Sequence, residues 1–134
     1  MRPVFADTFY WIALTDSTDA AYERAQQITN DIVTTDEVLT EYLTFFCAAP
    51  EYIRREVAMA VDDIFQNPTV HVIPQSRASF LAGLRLYRDR PDKGYSLTDC
   101  ISMETMRREG LTDVLTNDRH FEQEGFRALF RAVR

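Results

Sequence analysis

The sequence predicts an α/β fold: a central, mostly parallel sheet of four or five strands lying between helices. Three observations carry that reading. Short β-branched or apolar runs alternate with longer segments whose apolar residues recur at helical spacing. Strands separated in this way pair in parallel through helical crossovers, and a parallel sheet is covered on both faces. The length, 134 residues, is that of one domain, so residues 1–134 read as a single unit.

Each element follows from local chemistry. Pro3-Val4-Phe5-Ala6 is a short apolar run ending at Asp7, a buried strand. Thr8 to Leu14 reads as a short helix, closed by the polar stretch Thr15 to Asp19. Ala20, Ala21, Ala25 and Ile28 recur at helical spacing and place a helix over about 19–30. Asp31 to Thr35 is β-branched, a second strand, and Asp36 is placed to cap the helix after it. That helix turns Val38, Leu39, Tyr42, Leu43 and Phe46 to one side. Pro50 opens another, with Ile53, Val57, Ala60, Val61 and Ile64 on its apolar face, and Asn67-Pro68 ends it. Thr69 to Pro74 is a third strand. Ser76 to about Arg90 is helical with Phe80, Leu84, Leu86 and Tyr87 inward, and the Pro91–Gly94 segment makes a loop. Ser96 begins a helix that Gly110 stops. Leu111 to Thr116 is a fourth strand, followed by a turn at Asn117-Asp118. The tail holds a weak helix or loop over 119–126 and an apolar piece from Ala128 to Val133.

Composition narrows the function. Hydrophobic residues make up 46% and charged residues 27%, which excludes a disordered or collagen-like chain. The apolar run Phe9 to Leu14 falls far short of the roughly 20 residues that span a membrane. The first residues lack the basic-then-apolar pattern of a secretory signal. Cys47 and Cys100 lie in apolar helical patterns with no zinc-type spacing, so both read as reduced core thiols of a cytoplasmic protein. The net charge of −6 argues against a general RNA coat. The charge is uneven, however. Residues 1–67 hold 4 basic and 12 acidic side chains, and residues 68–134 hold 11 and 9.

The chemistry sits where a parallel sheet binds its ligands, outside the carboxyl ends of its strands. Asp7 ends the first strand, and Asp118 lies just past the fourth. Glu41 lies about a turn into the helix after the second strand, and Asp99 lies in the first turn of the helix before the fourth. Together these carboxylates would repel one another. A divalent cation such as Mg²⁺ or Mn²⁺ relieves that repulsion through oxygen ligands. Taken singly, each acid has a plainer role. Asp7 is a helix cap, Glu41 a solvated helix residue with Glu37 one turn back, Asp99 half of a Ser96 capping box, and Asp118 a turn acid.

These pieces resemble the PIN-domain ribonucleases, in particular the VapC-like toxins of toxin–antitoxin pairs. The matching residues are Asp7-Thr8, Val38-Leu39-Thr40-Glu41, Ser96-Leu97-Thr98-Asp99, and Leu115 through Phe121, and the match spans essentially the whole chain. The resemblance implies a three-layer α/β/α sandwich and a Mg²⁺- or Mn²⁺-dependent endoribonuclease. It implies a metal and catalytic site of Asp7, Glu41, Asp99 and Asp118, with Thr8, Thr116 and Asn117 supporting them. The fourth acid varies in the family. Asp113, its neighbour, begins the strand and faces away. An antitoxin partner and a homodimer are implied as well, with an RNA substrate, no membrane and no direct DNA binding.

Other constellations stand beside this one. Arg85, Arg88, Arg90 and Lys93 form a basic run before Asp99, read either as an RNA-backbone track or as a solvated helix face. Arg107 and Arg108 read as helix C-terminal charges. His120 reads as a turn or exposed residue, with substrate contact as the alternative, and His71 as structural. Phe9, Tyr10 and Trp11 read as core or dimer interface. An aspartate-nucleophile phosphatase would need a second acid two residues after Asp7, where Phe9 stands. The remaining reading is a non-catalytic RNA- or protein-binding module on the same sheet.

Overall fold

The computed structural model describes residues 1–131, so residues 132 and 133 of the apolar piece expected from Ala128 to Val133 lie outside the described residues. In chain order the elements are β1 (Val4–Ala6), α1 (Thr8–Thr15), α2 (Tyr22–Gln26), β2 (Ile32–Thr35), α3 (Asp36–Phe45), α4 (Glu51–Gln66), β3 (Val70–Ile73), α5 (Arg77–Asp89), α6 (Leu97–Glu109), β4 (Asp113–Leu115), α7 (Arg119–Gln123) and β5 (Arg127–Ala128). The sheet runs β3-β2-β1-β4-β5. Every pairing is parallel: Phe5 lies beside Val33 and Val114, Thr35 beside Ile73, and Val114 beside Ala128. The expected α/β sandwich is therefore present, with the full five strands.

Strand order explains where a ligand can sit. From β1 the chain works outward on one side through β2 and β3, then returns to the other side through β4 and β5. The order reverses at β1, and the crevice beyond the carboxyl ends of β1 and β4 is the binding position such sheets offer. All of β1 and β2 is buried, as is most of β4. Beneath the crevice, Phe5, Val114, Leu115, Met103, Met106 and Phe121 pack with almost no exposure.

Helix α6 is buried on most sides: Cys100, Ile101, Ser102, Met103, Thr105 and Met106 are all covered. Its start is held by a reciprocal Ser96–Asp99 capping box. Its end is set by Gly110 in the left-handed conformation (φ 71°), which lets the Leu111 N–H reach the Met106 carbonyl at 2.8 Å.

Several local expectations are corrected. The helix expected over about 19–30 spans only Tyr22–Gln26, because Thr18 N–H and Ala21 N–H bond to the side chains of Asp16 and Asp19 in turns. Thr35, not Asp36, caps α3, its hydroxyl accepting the Val38 N–H at 3.1 Å. Asp36 instead accepts the Gln75 N–H. Leu43, Phe80 and Tyr87 point to solvent, as does Cys47; only Cys100 is a core thiol. Tyr10 and Trp11 are core residues, and Phe9 packs edge-on against Phe130 at 5.4 Å. His71 is exposed on the edge strand β3.

Candidate active site

Asp7 leaves β1 and enters α1 with extended backbone (φ −83°, ψ 169°), and its side chain makes no capping bond to the helix. Its role is therefore not that of a cap. The carboxylate is 7% exposed, and its Oδ2 accepts the Thr116 hydroxyl at 2.9 Å. Thr116, fully buried past the end of β4, also accepts the Asp118 N–H at 3.2 Å. One threonine hydroxyl thus ties the end of β1 to the turn after β4. Across the crevice the Thr8 hydroxyl donates to Glu41 Oε1 at 2.5 Å, joining α1 to α3.

Asp99 is half of a capping box, its Oδ2 accepting the Ser96 N–H at 3.2 Å, and also lies close enough to Asp7 for its charge to act there. Asp118 caps α7 by accepting the His120 N–H at 2.8 Å, and its charge acts on Asp99. The four acids therefore form one electrostatic cluster. Burial, reinforced by the charges of Asp99 and Glu41, pushes the Asp7 carboxyl up to about 7 against the bonds from Thr116 and Thr8. Burial also raises Asp99, with Asp118 and Glu41 adding to it.

Among the described residues, no Lys or Arg lies within ion-pair distance of Asp7, Glu41, Asp99 or Asp118. The cluster is uncompensated by protein cations. Asp99, Asp118 and His120 each offer one ligand atom, and these atoms lie within 4.8 Å of one another. The His120 Nδ1 is buried and has no hydrogen-bond partner, a costly state for an imidazole nitrogen. One buried carboxylate, Asp7, three half-buried ones and an orphaned nitrogen beside them, with no Lys or Arg paired to them, fit a divalent cation.

The other expected residues are placed differently. Asn117 is exposed and lines a separate hollow with Phe9, Asp19, Arg24 and Phe130. In the basic run, Arg85 and Arg88 are exposed on α5, whereas Lys93 lies 3.6 Å from Asp92. Arg90 is engaged by a carboxylate: its Nε donates to Glu124 at 2.8 Å. Glu124 also takes Arg107 at 2.7 Å and the Tyr95 hydroxyl at 2.9 Å, with only 5% of its side chain exposed. Burial opposes its ionisation, but the bonds from Arg107, Arg90 and Tyr95 hold its carboxyl below the usual range. Asp113 faces away from the cluster and pairs with Arg127 at 2.8 Å, as expected. Sequence reasoning did not single out Glu124, and it did not place the His120 nitrogen at the cluster. Neither follows a spacing rule, since both positions depend on how α7 packs.

Residues 4–126 match the PIN domain family. Among solved structures, the sarcin–ricin loop cleaving toxin VapC20 of Mycobacterium tuberculosis matches with a TM-score of 0.80, covering 92% of this chain and 95% of that one at 23% identity. No curated protein gives a significant match. The family match runs from β1 through α7 and takes in all four clustered acids. The chain therefore belongs to the PIN-domain family.

Proposed function

We propose that this chain is a divalent-cation-dependent endoribonuclease, the toxin of a VapBC-type pair, acting through Asp7, Glu41, Asp99 and Asp118. The observation that carries the reading is the acid cluster at the sheet's switch point, without a Lys or Arg partner among the described residues, in which buried Asp7 is pushed up to about 7 by burial and its acidic neighbours. Mg²⁺ or Mn²⁺ is the cofactor that Asp7, Glu41, Asp99 and Asp118 would hold. When bound, it offsets the carboxylate charge and stabilises charge developing on the scissile phosphate.

The chain's own groups have defined tasks. The Thr116 hydroxyl fixes the Asp7 carboxylate, the Ser96 N–H fixes Asp99, and the Thr8 hydroxyl fixes one oxygen of Glu41. A carboxylate of the cluster accepts a proton from the water that attacks phosphorus. The bond to the 3′ oxygen breaks, leaving a 3′-hydroxyl and a 5′-phosphate. Arg85 and Arg88 are the cations of the basic run available to the RNA backbone, because Arg90 is engaged by Glu124. Association with an antitoxin and with a second copy belongs to the same proposal. The exposed apolar side chains of α4 and α5, among them Tyr52, Met59, Phe80 and Tyr87, offer surfaces for it. Action in the cytoplasm is likewise part of it, and among the described residues no helix is long and apolar enough to cross a membrane.

Incubation with a panel of structured RNAs, including a sarcin–ricin stem-loop, in Mg²⁺, Mn²⁺ or EDTA tests the reading. Cleavage by the wild type in either cation, lost in EDTA and in Asp7→Asn, is the expected result. Release of phosphate from small monoesters without RNA cleavage would overturn it.

A further inference from the structure

The PIN-family acids account for the oxygen donors of the cluster but leave the His120 nitrogen unexplained. We infer that His120 supplies its Nδ1 to the bound cation beside Asp99 and Asp118, giving a mixed nitrogen–oxygen site that favours Mn²⁺ over Mg²⁺. The inference rests on the reading that these acids hold a divalent cation.

Three observations place the imidazole. Its backbone N–H is anchored to Asp118 Oδ1 at 2.8 Å, which fixes the first turn of α7. Its ring meets the Tyr95 ring edge-on, with centroids 5.2 Å apart, and Tyr95 is in turn held by Glu124. The Nδ1 is thereby buried at the acids, 3.4 Å from Asp118 Oδ1, without forming a hydrogen bond to it. The Glu124 hub thus has a use beyond tying loop to helix: through Tyr95 it limits where the imidazole can lie.

Chemistry then decides the metal. Mg²⁺ takes oxygen ligands in a strict octahedron and gives up its waters reluctantly. Imidazole nitrogen strengthens binding of transition-metal ions relative to Mg²⁺. A cluster of carboxylates alone would not separate the two ions strongly, whereas one nitrogen in the set would. A protonated imidazole paired with Asp118 is the competing arrangement, and it would leave the cation with oxygen ligands only.

The sequence suits a direct test, because His71 and His120 are the only histidines. His71 lies on β3, at the far edge of the sheet from β4. Mn²⁺ is added to the untagged full chain, and electron spin-echo envelope modulation is recorded for wild type, His71→Ala and His120→Ala. Circular dichroism checks that each is folded. A ¹⁴N modulation in wild type and His71→Ala, absent in His120→Ala, is expected. Mn²⁺ affinity should fall about tenfold or more in His120→Ala, with a smaller change for Mg²⁺. Mn²⁺ bound to wild type without ¹⁴N modulation overturns the inference and leaves the cation reading standing, as does modulation that survives in His120→Ala. Failure of millimolar Mn²⁺ to bind wild type at all overturns both. Should His120→Ala not fold, the wild-type and His71→Ala spectra decide the question.

Discussion

Asp7 shows how the residue to which catalysis is assigned in the proposal carries a stability cost in the fold. The folded chain keeps a proton on Asp7 up to about pH 7, whereas an unfolded chain releases it near 3.8. Between those values the folded state binds more protons, so raising the pH favours unfolding. Asp99, also raised, acts in the same direction. Glu124 and Asp113, held below their usual range by arginine, act in the opposite direction but only at lower pH. Metal-free wild type should therefore lose thermal stability between about pH 5 and pH 7, and Asp7→Asn should flatten most of that slope and melt higher at pH 8. Melting curves across pH check this, and an equal slope in Asp7→Asn would show that Asp7 is not the source. The position of Asp7 was legible because an acid ending a strand is a simple pattern. The His120 nitrogen was not, because its burial depends on Tyr95 from a distant loop and on the cap geometry of Asp118.

Among the elements, the pairing of α5 with α6 bears most directly on the site, since α6 carries Asp99. The two helices approach closely at Gly83: a Cβ there would lie 2.4 Å from Ile101 Cγ1 and 3.1 Å from its Cα. Alanine has the better helix propensity by about 1 kcal/mol, but overpacking a close contact costs about 1–3 kcal/mol. Gly83→Ala is expected to destabilise by about 1–2 kcal/mol in chemical denaturation, the steric cost exceeding the propensity gain. A more stable variant would mean that α5 can move off α6 freely. The element boundaries show where sequence patterns fail. Apolar spacing over 19–30 promised a long helix, yet the side chains of Asp16 and Asp19 captured the backbone in turns instead. Of the apolar residues on α5 expected inward, Leu86 is buried but Phe80 and Tyr87 are exposed, while the small residues Ser79 and Gly83 are buried with Leu86. Close helix packing selects for size as well as polarity.

For the whole molecule, the order of strands does the assembling. Four acids separated by up to 111 positions converge because β1 lies between β2 and β4, each running the same way. That parallel arrangement was legible from alternating strand and helix patterns, as was the location of the acids at the carboxyl ends. The fate of the charges was less so. The basic run before Asp99 read as one track, but Glu124 engages Arg90, together with Arg107 from α6, and leaves Arg85 and Arg88 unengaged on the exposed face of α5. The net charge of −6 is thus compatible with an enzyme that grips phosphate locally. It excludes only binding by bulk attraction.

Whether these four acids act together on RNA is decided by a substitution series. Rates of RNA cleavage in Mn²⁺ are compared for wild type, Asp7→Asn, Glu41→Gln, Asp99→Asn and Asp118→Asn. Asp113→Asn, whose side chain faces away and pairs with Arg127, is the control. Each of the four should lose about a hundredfold or more, with Asp113→Asn close to wild type. Cleavage that survives in Asp7→Asn, or that falls as far in Asp113→Asn, would contradict the assignment.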